Sequence, residues 1–442
     1  MKKIVLSTLL LVGFSAAIVA QEQVWTLDEC MRYAVENSPA VKKQIHTSDT
    51  YKAEHASAVA QFFPQVSANI GGQYNFGRSI DPATNVYNNV TTFNNSYGAA
   101  LRIPVFTGGQ LINEWLKSKS NRRMGVNDIQ KAKDDLALET MQAFLDVVYY
   151  QGTIKMAEEK LAESKQTLYK TQRQSELGLK SGADIAQFEA QVAADDYTLT
   201  HQQNLFDAAV VKLKEKMNYP ADMEIRVDTV VPEVSLIAET ENVLDIFDYA
   251  SRNNPTALQA DFQWKESKYN YRISKGQLLP SIYFDAGIST NYFKTLNSEE
   301  TVSSFGSQFR NNRGEYLAIS VSIPLFSGLT GIKNARTARN NMRIAEETKT
   351  EVLRQLQSAI EQAVLDREGY AKEAIQMEKK VKSDAIAYRV TERKYEEGLM
   401  SALDLQTSGN TLLTSKADLL QRKLLYIMKC KLVDYYKGKP LY

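Results

Sequence analysis

The residues of this 442-residue chain with the most chemical character come in matched pairs. Ser181-Gly-Ala-Asp184 follows Gly178, and Ser401-Ala-Leu-Asp404 follows Gly398, each residue 220 positions from its counterpart. A glycine can take the left-handed conformation that closes a helix. A serine followed three residues later by an acidic residue forms a capping box that opens the next helix. Capping alone accounts for the spacing. Repeated around a symmetric oligomer, the same carboxylates would instead gather into a ring at the mouth of a tube, and the two readings are compatible. Catalytic chemistry finds little to work with. Only three histidines occur, His46, His55 and His201, and no H-E-x-x-H, G-x-S-x-G or phosphate-loop pattern is present. His46 and His55 read as surface residues of a helix. No cofactor and no catalytic or metal site is expected. A net charge of +1 gives no electrostatic reason to expect nucleic acid. Cys30 and Cys430 are too few for a disulfide scaffold. They read as separate small buried residues, with a pair between the chain's two ends as the alternative.

The turns belong to a larger repetition. Pro39 and Pro255, and Pro64 and Pro280, stand 216 residues apart, whereas Pro104 and Pro324, and Pro220 and Pro440, stand 220 apart. Ile103-Pro-Val-Phe-Thr-Gly recurs as Ile323-Pro-Leu-Phe-Ser-Gly. A register change confined to the interval between Pro64 and Pro104 and its counterpart, Pro280 to Pro324, places a four-residue length difference in a surface loop. Two halves of one fold are therefore expected: a first repeat over 21–220, a linker over 221–239 and a second repeat over 240–442. Residues 1–20 read as a secretory signal peptide, with Lys2 and Lys3, an apolar Ile4–Phe14 stretch and small residues up to Ala20.

Each half carries two alternating segments. Val66, Ala68, Ile70, Tyr74 and Phe76 alternate with Gln65, Ser67, Asn69, Gln73 and Asn75, and a second run spans Tyr97 to Val105. The pattern returns from Ile282 to Tyr292 and from Leu317 to Leu325. Strands are expected at about 64–77, 96–106, 280–293 and 314–326, joined by polar loops over 77–95 and 294–313. About ten alternating residues with aromatics near the ends match transmembrane barrel strands. Four strands cannot close a barrel, and open edges cannot sit in lipid. Several chains must then share one barrel.

The proline-free stretches from Pro104 to Pro220 and from Pro324 to Pro440 are rich in helix formers. Each is broken once, at Gly178 or Gly398, so each reads as an antiparallel helical hairpin, over about 108–218 and 328–438. A first arm of about 70 residues would be roughly 100 Å long, suited to a coiled coil or to the wall of a tube.

Export signal, duplicated halves, one hairpin of strands and one very long helical hairpin per half together resemble the TolC family of outer-membrane efflux proteins. Local marks are Asn37-Ser-Pro, Phe63-Pro, Ile103-Pro-Val-Phe-Thr-Gly-Gly and Tyr395-Glu-Glu-Gly-Leu. The resemblance implies an α+β membrane protein in the outer membrane: a homotrimer whose 12-stranded β-barrel continues as a long α-helical periplasmic barrel. It also implies a periplasmic adaptor and an inner-membrane transporter of RND, ABC or MFS type as partners. By the same resemblance, Tyr395 and Asp184 help hold the tunnel mouth closed, and Asp404 belongs to a selectivity ring. Two departures follow. Thr407 stands where the ring has its second aspartate, and Met400 where the closing network has an arginine. A non-channel coiled-coil scaffold of the envelope is the competing reading. It would explain the helices but not the alternating strands. The sequence does not select a cargo, since it has no Met- or His-rich tract to favour metals.

Overall fold

Matched prolines mark helix starts. Ser38 caps Pro39–Ala60, with its hydroxyl accepting from the amides of Ala40 and Val41, and Asn254 caps Pro255–Gly276 in the same way through Thr256. Proline is tolerated at the first helical position because its missing N–H would be unpaired there anyway. The computed structural model describes residues 24–80, 85–89, 91–230, 236, 241–296 and 303–442. The expected signal segment, most of the linker beyond Val230 and parts of both strand-connecting loops lie outside the described residues.

In chain order the elements are β1 (Val24–Trp25), α1 (Leu27–Asn37), α2 (Pro39–Ala60), β2 (Gln65–Asn75), β3 (Arg78–Ile80), β4 (Tyr87–Asn89), β5 (Thr91–Thr107), α3 (Gln110–Glu176) and α4 (Gly182–Met217). The second half has β6 (Arg226–Val227), α5 (Val243–Asn253), α6 (Pro255–Gly276), β7 (Ser281–Leu296), α7 (Phe305–Asn311), β8 (Gly314–Ser322), α8 (Thr330–Glu396) and α9 (Ala402–Tyr436). Helices α3 and α8 each have 67 residues, roughly 100 Å at 1.5 Å per residue.

Two cores repeat each other. In the first, Cys30, Ala34, Phe144 and Leu213 pack together; in the second, Ile246, Ala250, Val364 and Val433 take the corresponding places. Cys30 thus fills the slot that holds an isoleucine in the other half, as a small apolar residue. Burial pushes its thiol up to about 12. Both cysteines are free, so the pairing alternative falls. Polar packing repeats too. Ser164 of α3 hydrogen-bonds Asp195 of α4, while Asp384 of α8 accepts from Ser415 of α9. Serine and aspartate have exchanged places between the halves.

The sheet is antiparallel in the order β2-β5-β7-β8, with both edges open among the described residues. Its register lines up Val66, Leu101, Ala286 and Leu317 across all four strands, and Ala68, Ala99 and Ile288 in the next row. The opposite face carries Gln65, Arg102 and Asp285, with Arg102 Nε 2.8 Å from the Asp285 carboxylate. Much of the apolar face is uncovered: Ile70 and Leu317 are each 78% exposed. Below the sheet the helices pack side by side in one layer. Near the sheet, α3 packs between α2 and α6, and α6 packs on α8; farther away, α4 and α9 take over beside α3 and α8. Among the described residues no helix is long and apolar enough to cross a membrane.

Several expectations need correction. The 77–95 loop is shorter than its polarity suggested, because β5 starts at Thr91 and the β3–β4 hairpin fills part of the remainder. Asn and Ser are acceptable on a water-facing strand surface, so composition did not mark the strand's end. The 294–313 loop contains α7, and β7 runs on to Leu296. β8 stops at Ser322 rather than near 326, where the Ser281–Ser322 pair ends the ladder. Within the linker, β6 pairs in parallel with β1 and ties down the start of the described chain. His55 is not a plain surface residue: its Nδ1 lies 3.0 Å from the Ser118 hydroxyl and bridges α2 to α3.

Candidate functional site at the hairpin tips

Both helical hairpins turn with the same backbone chemistry. Gly178 and Gly398 each have φ of +75°, a conformation that costs a residue with a Cβ roughly 1–2 kcal/mol. The Gly178 and Leu179 amides return to the Ser175 and Gln174 carbonyls, and those of Gly398 and Leu399 return to Tyr395 and Lys394. This double bond pattern is a Schellman closure.

The next helices open on reciprocal caps. The Asp184 carboxylate accepts from the Ser181 amide at 2.9 Å and hydroxyl at 2.8 Å, while the Asp184 amide donates back to the Ser181 hydroxyl at 3.2 Å. At the other tip, Asp404 accepts from the Ser401 amide at 3.0 Å and hydroxyl at 2.6 Å. These bonds favour the ionised form. The Ser181 amide and hydroxyl hold the Asp184 carboxyl below its usual range, and the Ser401 hydroxyl and amide do the same for Asp404.

Tyr395 joins the two tips. It is 4% exposed, packed with Phe188, Ala402 and Leu405. Its hydroxyl lies 3.1 Å from that of Thr171, and its ring meets Phe188 edge-on with centroids 5.5 Å apart. Lys180, from the first turn, sits with Nζ 3.9 Å from the Tyr395 ring centroid and donates to the Tyr395 carbonyl at 3.3 Å. A cation over a tyrosine face contributes about 0.5–2 kcal/mol. Burial pushes the Tyr395 phenol above its ordinary value; the Thr171 bond opposes this and nearby Asp184 adds to it. Lys170 pairs with Glu396 at 2.8 Å, and the Gln187 and Gln406 side chains bond across the hairpins.

The structure therefore brings Asp184, Tyr395 and the first turn into one cluster. Asp404 and Thr407 stand outside it, exposed on the first turns of α9, with the Thr407 hydroxyl bonded to the Leu403 carbonyl. Met400 is half-buried and carries no charge to Tyr395. Sequence reasoning missed Lys180, Thr171 and Phe188. A lysine at the position matching Met400 was the available signal: within this chain the cation beside Tyr395 comes from the first turn.

Apolar-faced strands at one end, a helical stem of roughly 100 Å and polar turns at the far end define a subunit of an envelope-spanning conduit. The outer membrane efflux protein family matches residues 31–218 and 247–427, one segment in each half, and the chain belongs to that family. It is an outer-membrane efflux channel protein that extends into the periplasm. Among similar proteins is a toluene efflux pump outer membrane protein, TtgC of Pseudomonas putida, 21% identical over 437 residues covering 93% of this chain and 84% of that protein. The outer membrane protein VceC from Vibrio cholerae superposes with a TM-score of 0.80 at 13% identity, covering 94% of this chain and 97% of that one. The Campylobacter jejuni CmeC outer membrane channel gives 0.79 at 13% identity over 94% and 87% of the two chains. These superpositions speak to the fold.

Proposed function

We propose that three copies of this chain close a 12-stranded barrel in the outer membrane and a twelve-helix tunnel beneath it. The observation that carries this reading is the four-stranded sheet. Among the described residues its edge strands β2 and β8 have no outer partner, and much of its apolar face is uncovered. Unpaired strand edges cost several kcal/mol per group in lipid, and about eight strands are the practical minimum for closure. The helical layer is open on the same two sides, at α2 and α8, so one symmetry operation closes both. The conduit is passive. An inner-membrane transporter supplies the energy, and a periplasmic adaptor joins it to the hairpin tips.

At those tips Tyr395, held by Thr171 and Lys180, acts as a latch between the two hairpins of each chain. Asp404, repeated three times, makes a single-tier carboxylate ring that attracts cations. Thr407 adds no second tier. Native mass spectrometry of the detergent-extracted protein is expected to give a trimer, and planar bilayers a cation-preferring conductance that Asp404→Asn reduces. A stable monomer without conductance, the behaviour of an envelope scaffold, overturns the channel assembly. A conducting trimer whose selectivity ignores Asp404→Asn overturns the ring alone.

A further inference from the structure

Helix α7 lies on the apolar face of the sheet. Tyr74, Phe93, Tyr97 and Tyr292 share the face of Ile70, Leu101 and Leu317 by register and form an aromatic band at the end remote from the long helices. The α7 residues Phe305 and Phe309 dock there: Phe305 lies 5.3 Å from Tyr292 and Phe309 lies 5.4 Å from Tyr97, centroid to centroid. The attachment is specific. β8 pairs with β7 only as far as Ser289, and above that point α7 takes over the free edge. The Gln308 amide donates to the Phe293 carbonyl at 2.9 Å and its oxygen accepts from the Phe293 amide at 3.0 Å, so one side chain stands in for a neighbouring strand. Thr290 and Asn312 add bonds of 2.8 Å on either side. Held in this way, Phe305 and Phe309 remain 46% and 40% exposed. Arg310 on the helix and Lys294, which shares the aromatic face opposite Phe93, are both exposed.

We infer that α7 is an interfacial anchor that seats on outer-leaflet lipid bearing phosphate headgroups. Phe305 and Phe309 enter the boundary between headgroups and acyl chains, where amphipathic aromatic residues concentrate, and Lys294 and Arg310 meet the phosphates above them. Two features select this occupant. The helix continues the face that meets hydrocarbon, and among the described residues the exposed charged side chains beside it without an ion-pair partner, Lys294 and Arg310, are cationic. The inference rests on the membrane placement of that face and not on the state of the tips.

The test uses the full-length protein in nanodiscs of phosphatidylcholine with or without phosphatidylglycerol. Phe309→Trp should add a blue-shifted emission that lipids brominated near the headgroup quench. Native mass spectrometry should find phosphatidylglycerol retained by the parent, and the Lys294→Gln/Arg310→Gln variant should retain it less well, by about fivefold per charge removed. Unquenched, water-like emission overturns the anchor, whether α7 then faces solvent or a neighbouring copy. Lipid quenching with unchanged retention overturns the headgroup assignment. Conductance of the same samples tells either failure apart from failure of the channel reading.

Discussion

At the scale of single residues, the tips combine a backbone demand with an ionic one, and the two separate on mutation. Gly398→Ala places a Cβ at a φ of +75°. It should cost about 1 kcal/mol, read as roughly fivefold faster amide exchange around the turn, with no change in conductance selectivity. The carboxylates respond to pH. Asp184 and Asp404 have folded pKa values below their ordinary ones because their serines donate to the ionised form. Their contribution is therefore complete above the unfolded value, about 4, and is lost as pH falls through the folded values. Amide protection at both tips should hold from pH 7 to about 5 and decline below about 4. Three Asp404 carboxylates crowded in a ring would push the other way, since like charges raise proton affinity. An Asp404 midpoint measured above the ordinary carboxylate value favours the ring. One below it, in a conducting trimer, leaves Asp404 as a cap only.

At the scale of elements, the exchanged Ser–Asp pairs offer a direct test of how alike the halves are. Asp195 accepts from Ser164 and, at 2.7 Å, from Gln191; Asp384 accepts from Ser415 and, at 2.6 Å, from Lys380. Lys160 precedes position 164 by four residues, as Lys380 precedes Asp384. Ser164→Asp alone would face two carboxylates across a buried contact, and Asp195→Ser alone would leave two hydroxyls with no ionic partner. Each should lower the melting temperature, whereas the double swap should recover it with a coupling of about 1–3 kcal/mol. Simple addition of the two losses would show that the halves are not equivalent there. The helical hairpins, caps and alternating strands were legible because each follows from local periodicity and from turn residues at fixed offsets. What stayed hidden depended on distant pairing. Lys180 and Tyr395 are 215 residues apart, and nothing local marks their contact. Helix α7 was masked by polar composition, although Phe305 and Phe309, four apart, were a faint helical signal. The true start of β5 was lost because a water-facing strand tolerates the same Asn, Ser and Thr as a loop.

At the scale of the whole molecule, the direction of the chain fixes which end of the sheet lies away from the helices. β2 enters the sheet from α2 and β5 leaves it toward α3, so the connections through β3–β4 and α7 lie at the end away from the helices. The stem's 67-residue helices then carry the Gly178 and Gly398 turns roughly 100 Å from the sheet. Membrane placement of the sheet puts α7 outside and the turns deep in the periplasm. Single cysteines introduced by Ser307→Cys and Met400→Cys, in a background with Cys30 and Cys430 replaced by Ala, should report this directly on intact cells. A maleimide carried on a polymer too bulky to thread the barrel should label the α7 position and leave the tip position unlabelled. Permeabilising the outer membrane should make the tip reactive, because Met400 is half-buried rather than enclosed. Labelling at the tip in intact cells as fast as at α7 would mean that the helices point outward. The sheet would then be spanning in the opposite sense, and the apolar face, the stem and the lipid anchor would all have to be reassigned together.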